Sequence, residues 1–299
     1  MDLFDFEIFL AIVDTKSITA ASEKLFLSQS TVSYRVTKLE EELQTKLINR
    51  EQGQRVISLT LKGEEFLKFA KKAYNIKKEL ENWKNKDANQ TINIGAVDSL
   101  NIYILPKLYK SFIQKNINIK LNISSHWSLK ICNLVELNDI DIGMVSILKE
   151  SQDIIATPIF REEMVVISNS DSIYNKIENP KNLDAFYELK LDWGKDFQIW
   201  HDYCFGPNIQ TQLKVDTSGL IFNLVCGKKS WAIVPLEVAQ FYNETRKIKI
   251  SFLTDPPPSR TIYKIKNIYT RPSVKKNLDL FEEYLESFII NNSKLITPL

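Results

Sequence analysis

Between Ser28 and Lys38 the chain sets short hydrogen-bonding side chains and cations on a helical repeat: Ser28, Gln29, Ser30, Thr31, Ser33, Tyr34, Arg35 and Lys38. Hydroxyls and a carboxamide pair with base edges, while guanidinium and ammonium groups pair with phosphates, so this is chemistry suited to the major groove of DNA. Val32, Val36, Leu39 and Leu43 recur at spacings of four, three and four, which puts them on one apolar stripe directed at a core. An amphipathic helix with a merely solvated polar face has the same pattern, and on this stretch alone both readings stand. Ser17 and Ser28 can each cap a helix by accepting hydrogen bonds from its unpaired first-turn N–H groups. Ala20 and Ala21 are small enough for the two helices to approach closely.

No comparable constellation for catalysis is present. The two histidines, His126 and His201, lack the one-turn spacing of a metal pair. Eight glycines in 299 residues form neither a phosphate-cradling loop nor a nucleophile elbow. The expectation is therefore no catalytic residue, no metal and no cofactor. Cys132, Cys204 and Cys226 have no metal-ligand spacing and read as reduced thiols, with a Cys204–Cys226 redox pair as the alternative.

Other elements must hold the polar face in place. Leu3, Phe6, Phe9, Leu10 and Val13 fall at helical spacing and form the core face of a first helix. The apolar runs Leu47-Ile48 and Val56–Leu59 flank a polar stretch with Gly53, the pattern of a two-stranded wing. Its loop carries Arg50 and Arg55 toward phosphates or a minor groove, although both also suit a solvated surface. From Thr60 a long helix follows, in which Phe66, Phe69, Ala73, Ile76, Leu80 and Trp83 alternate spacings of three and four. That is a heptad seam for pairing two chains, with packing on the helix's own domain as the alternative. Residues 84–90 are polar and mark a boundary.

Beyond the boundary the pattern alternates: strand Thr91–Ile94, helix Asn101–Lys115, strand Lys120–Ile123, helix Leu129–Leu137, strand Ile140–Val145. This is an α/β reading, and ligands bind beyond the carboxyl ends of such strands. By that rule Asp98 and Ser99 follow the first strand, Ser125, His126 and Ser128 the second, and Ser146 the third. Farther on, Trp193 follows a short strand, Trp200 and His201 sit on the next helix, and Thr217 and Ser218 open another. Together they suit a small polar metabolite with an apolar part stacked on a tryptophan; the alternative is that Trp193 and Trp200 are core aromatics.

Residues 2–62 resemble the winged helix-turn-helix of the LysR-type transcriptional regulators. The residues that carry it are Phe6 and Phe9, Ser17–Ser22, Leu27–Ser33, Lys38–Leu43, Leu47, Arg50 and the run Val56–Gly63. Ile104–Leu108 and Asp139–Gly143 resemble that family's effector domain. The resemblance implies an N-terminal all-α winged helix-turn-helix and an α/β C-terminal domain of two lobes, like a periplasmic binding protein. The expected divisions are a DNA-binding domain over 1–60, a dimerising linker helix over 61–89 and an effector-binding domain over 90–299. Within the last, lobe I takes about 90–160 and 266–299, and lobe II about 161–265. The implied function is a sequence-specific, DNA-binding transcriptional regulator controlled by a small-molecule effector and acting as a homodimer or homotetramer. One departure is the turn Cys226-Gly227-Lys228-Lys229-Ser230-Trp231, where the family usually has a glycine-rich step.

Composition fits this picture. Hydrophobic residues make up 44% and charged residues 25%, which are globular values. A net charge of +2 means that nucleic-acid contacts must come from local basic clusters. The acidic start Met1–Asp5 has no basic run before an apolar core, and no apolar stretch approaches membrane-spanning length. The expectation is a cytoplasmic protein without a membrane partner. A small-molecule-binding or transport-type protein without DNA function is the alternative, and the missing signal peptide counts against it.

Overall fold

A computed structural model describes residues 1–49, 57–83, 91–245, 247–292 and 297–298. The chain falls into two compact units, Met1–Asn89 with Leu137–Asp139, and Gln90–Glu136 with Ile140–Leu299.

In the first unit, α1 (Leu3–Thr15) opens on a reciprocal cap. The Asp2 side chain accepts from the Asp5 N–H and the Asp5 carboxylate accepts from the Asp2 N–H, at 3.0 and 2.8 Å. Ser17 caps α2 (Ile18–Leu25) by accepting from the Ala20 N–H, and Ser28 caps α3 (Gln29–Glu42) by accepting from the Thr31 N–H. Ile8, Phe9, Ile12, Ala21, Val32, Val36 and Leu39 close the core between the three helices. One buried carboxylate then sets the wing against α3. Glu40 accepts from the N–H groups of Leu47 and Ile48, at 2.8 and 3.2 Å, and from the Lys46 ammonium at 2.9 Å. Strand β1 (Ile48–Asn49) is thereby held for pairing with β2 (Ser58–Leu59), Ile48 opposite Leu59.

Thr60 caps α4 (Leu61–Trp83), its hydroxyl accepting from the Gly63 N–H at 2.9 Å. Glycine is required at 63, because a Cβ there would lie 2.0 Å from the Leu47 carbonyl oxygen. Along α4 the expected seam divides between two faces. Phe66 is buried in the unit's own core, its ring 5.6 Å from Phe6 and 5.0 Å from Phe9, so it is unavailable to a second chain and the expectation is corrected there. Ala70 is buried on the same face, and Lys77 pairs with Glu7 of α1. Phe69, Ile76 and Leu80 form a separate exposed edge, each about 60% exposed or more. Residues 50–56, with Arg50, Gly53 and Arg55, residues 84–90, and the side chain of Trp83 lie outside the described residues.

The second unit has two lobes. In the first, β3 (Thr91–Ala96) lies between β4 (Lys120–Ser125) and β5 (Ile142–Val145), all parallel, with α5 (Pro106–Lys115) and α6 (Ser128–Glu136) as connections. The sequence predicts one helix over 101–115, but the structure divides it. Residues Leu100–Ile104 form a π turn, closed by the Leu105 N–H donating to the Leu100 carbonyl at 2.9 Å, and α5 starts at Pro106. Proline has no N–H to donate and its ring excludes the carbonyl four residues back, so the turn before it widens.

Strand β6 (Ile154–Glu162) leaves this lobe and runs on into β7 (Met164–Asn169) of the other. There follow β8 (Ile177–Glu178), β9 (Leu189–Leu191), α7 (Lys195–Phe205), β10 (Leu213–Val215), α8 (Ser218–Leu224), β11 (Trp231–Pro235), α9 (Leu236–Thr245) and β12 (Ile248–Leu253). Strand β13 (Arg260–Asn267) brings the chain back, antiparallel to β6, with Arg260 opposite Glu162 at the crossing. Helix α10 (Lys275–Asn291) then packs on α5, Phe281 meeting Phe112 edge to face at 5.2 Å, and β14 (Thr297–Pro298) adds an edge strand. The sheet orders are β14-β6-β13-β5-β3-β4 in one lobe and β11-β7-β12-β8 in the other, with β9 and β10 a parallel pair beside the second.

Candidate nucleic-acid interface and ligand cavity

With its apolar stripe buried, α3 turns a polar ridge outward. Gln29, Ser30, Tyr34 and Lys38 are exposed, and Thr31 and Ser33 are half-buried beside them. Ser28, besides capping the backbone, has its hydroxyl 2.8 Å from that of Ser30 and 2.7 Å from that of Thr31, which fixes the opening turn. Arg35 behaves differently from the expectation that it holds phosphates. Its guanidinium donates to Asp5 at 2.8 Å and Asp2 at 3.0 Å and lies over the Phe4 ring. Those two carboxylates hold its pKa above the ordinary arginine value, Asp5 most strongly. Arg35 thus locks α3 to the start of α1, and Lys38 is the cation that the described part of the ridge presents.

In the second unit a cavity of about 280 Å³ opens between the lobes, beyond the carboxyl ends of β3, β4 and β5. Asp98, Ser125, His126, Ser128, Ser146 and Trp193, all expected there, line it. Ser99 does not; it is fully buried and accepts from Arg260 at 2.8 Å. Thr217 and Ser218 stand behind Asp98. Its Oδ2 accepts from the Thr217 hydroxyl at 2.7 Å, the Ser218 N–H at 2.8 Å and the Ser218 hydroxyl at 2.9 Å.

Trp200 and His201 are also placed elsewhere. Trp200 is buried and donates to the Asp255 carbonyl at 3.1 Å, while His201 is fully buried, 2.7 Å from Glu188 and 3.2 Å from Lys190. Both belong to the inner face of α7, packed against Phe197 and Phe205. The expectation that they face a ligand is corrected: an aromatic and an imidazole one residue apart on a helix share the side that turns into the core.

The lining also includes residues that the strand-end rule did not name, among them Trp127, Lys130, Asp216 and Arg260. Arg260 opens the returning strand β13, with one residue between it and the Pro256-Pro257-Pro258 run. Its Nε donates to Glu162 at 2.7 Å and its Nη2 lies 2.5 Å from the same oxygen, while its guanidinium sits 4.8 Å from the centre of the Trp193 ring. Burial pushes the Glu162 carboxyl upward against the pull of Arg260. Glu237 is buried as well, and burial, with the Glu162 charge next in weight, pushes its pKa up to about 9. Among the described residues, Glu162 Oε1 and Glu237 Oε2 have no hydrogen-bond partner.

The three cysteines are unpaired, with Cys226 exposed and Cys204 half-buried. Among the described residues no group of His, Cys, Asp and Glu gathers as a metal set, and no helix is long and apolar enough to cross a membrane.

Comparison with known proteins extends the geometry. Residues 3–64 match the family described as bacterial regulatory helix-turn-helix protein, lysR family, and residues 85–267 match the LysR substrate binding domain. A Bacillus subtilis protein, the uncharacterized HTH-type transcriptional regulator YxjO, is 32% identical over 148 residues, 48% of this chain and 50% of that one. The hydrogen peroxide-inducible genes activator of Haemophilus influenzae is 25% identical over 271 residues, 88% of this chain and 89% of that one. The chain thus spans about half the length of the first relative and most of the second. Among solved structures, full-length CbnR complexed with its target DNA has a TM-score of 0.67 at 17% identity, over 96% of this chain and 100% of that one, a likeness of fold. Since the substrate-binding match alone takes in more than half of the sequence and the helix-turn-helix match precedes it in order, the chain belongs to the LysR family of bacterial regulatory helix-turn-helix proteins.

Proposed function

We propose that this chain is a sequence-specific, DNA-binding transcriptional regulator controlled by a small-molecule effector. The observation that carries the reading is the polar ridge of α3: a helix capped by Ser28, locked by Arg35, with its apolar stripe buried and Gln29, Ser30, Tyr34 and Lys38 left outward. Ser33 and Tyr34, with Gln29 and Ser30, read base edges, and Lys38, with Arg50 and Arg55 of the wing, holds phosphates. CbnR, of similar fold, binds its target DNA, which supports the same role here.

The exposed edge Phe69, Ile76 and Leu80 supports pairing of two chains through α4, giving a homodimer or a homotetramer built from dimers. The functional divisions follow: DNA binding in 1–60, pairing in 61–89 and effector binding in 90–299. The effector enters the cavity bounded by Asp98, Ser125, His126, Ser146 and Trp193. It shifts the population of lobe arrangements by binding one better than another, and the affinity for DNA changes with it. The protein works in the cytoplasm, as a regulator and not as an enzyme.

The test is affinity of the full chain for DNA taken from upstream of its own gene, measured across salt concentrations against scrambled DNA. Selective binding that weakens with salt is the expected result. Equal affinity for both DNAs, or none for either, overturns the assignment. The effector half is tested separately, by adding a small-molecule extract of the source cells. No change in DNA occupancy at any dose overturns it.

A further inference from the structure

The charges around the cavity are arranged against an acidic ligand. Three donors converge on one point at the start of α8, the Thr217 hydroxyl and the Ser218 N–H and hydroxyl, and the chain's own Asp98 carboxylate already occupies them. The fixed cation at the crossing, Arg260, is matched by Glu162 on one side and covered by Trp193 on another, with Ser99 taking a further N–H. A carboxylate or phosphate entering the cavity therefore meets an anion site that is filled and an arginine that is neutralised.

What it meets besides is negative. Asp192 and Asp216 are exposed carboxylates on the lining, contributed by the second lobe, and Asp98 faces them from the first. Among the described residues, Lys130, itself exposed, is the only lining cation other than Arg260. The neutral part of the wall combines the polar groups of Ser125, His126, Ser128 and Ser146 with the apolar Val97, Ile147 and Leu191, and with Trp127, which is more than half exposed. An indole face and nearby carboxylates together form the surroundings that take an alkylammonium group, and the Arg260–Trp193 stack in the same wall shows the same pairing within the chain.

We propose that the effector is an organic cation, a compact primary amine with a hydrocarbon part. The hydrocarbon lies against Ile147 and Leu191, and the ammonium group lies among Asp192, Asp216 and the Trp127 ring. This inference rests on the effector reading above and adds the ligand's charge to it. A cation adds no demand on the donors that Asp98 occupies, so it enters without breaking the link from Asp98 to α8.

The experiment uses the full chain and three matched series of probes, with butyl, cyclohexylmethyl and benzyl groups each carried as amine, alcohol and carboxylate. Binding is read by intrinsic tryptophan emission and by isothermal calorimetry up to millimolar concentration. The amine should be preferred in at least one series by tenfold or more. Asp192→Asn and Asp216→Asn should each reduce that preference on the order of tenfold, with the alcohol unaffected. A preference for the carboxylate overturns the cation assignment while leaving a ligand-binding cavity in place. Amine binding that is the same in both variants overturns it too, and so does binding by no probe. The extract experiment on DNA occupancy then decides independently whether the cavity senses a ligand at all.

Discussion

Asp98 and Ser218 stand 120 residues apart in the chain, and the Asp98 carboxylate accepts from both the backbone N–H and the hydroxyl of Ser218, at 2.8 and 2.9 Å. One residue follows the first strand of one lobe and the other opens a helix of the second, so this contact links the lobes across the cavity. Removing it as Asp98→Ala should loosen α8, since hydrogen bonds to an ionised group contribute about 1.5–3 kcal/mol. Amide exchange in Ser218–Leu224 should quicken by roughly tenfold or more, with exchange in β3 unchanged. Unchanged exchange in α8 would show that the link does not hold the lobes.

Arg35 and Lys38 share a helix and differ in what their charge meets. Lys38→Ala should weaken binding to all DNA sequences and reduce the slope of log affinity against log salt by about 0.9 for each phosphate the side chain neutralises. Arg35→Ala should leave the slope nearly unchanged and lower the melting temperature of the first unit, because Asp2 and Asp5 lose their partner. Salt titrations of both variants, with thermal melts alongside, separate the roles.

Phe66 and Ile76 lie on one helix and point to different neighbours. Phe66→Ala removes a buried ring and should cost about 3–5 kcal/mol of stability. Ile76→Lys should leave the fold intact, reduce the dimer fraction in sedimentation and weaken DNA binding with it, since half-sites are bound in pairs. A dimeric Ile76→Lys protein with full affinity would rule out pairing through this edge.

Glu237 is held protonated through neutral pH. Its folded pKa of about 9 lies above the ordinary 4.5, so its stabilising contribution is complete below 4.5 and is lost as pH rises toward 9. The loss accumulates at about 1.4 kcal/mol per pH unit while the group stays neutral in the folded state and ionised in the unfolded one. Glu237→Gln keeps the shape without the titration. Its unfolding midpoint in denaturant should fall less than that of the unaltered chain between pH 5 and 9. Parallel pH profiles would place the raised acid elsewhere in the cluster around Glu162.

Local pattern carried much of the molecule. Serine caps at 17 and 28, the apolar stripe Val32, Val36, Leu39, and the strand-helix alternation after residue 90 are each set by neighbours within a few residues, so periodicity and capping chemistry reveal them without a partner. The place of Asp98, His126 and Ser146 on the cavity wall was legible for a related reason: a parallel strand's carboxyl end is a local feature, and the lobe gathers such ends on one edge. Tertiary structure decided where long-range pairing overrides pattern. Phe66 fits a heptad as well as Phe69 does, yet Phe6 and Phe9 of α1 draw it into the core. Arg35 sits on the polar face by spacing, but Asp2 and Asp5, some thirty residues away, take up its charge. Trp200 and His201 read as ligand contacts until the packing of α7 turns them inward. Arg260 becomes a cavity residue only when β13 returns beside Glu162, because the position of a crossing strand depends on contacts between residues about a hundred apart, and no local period records them.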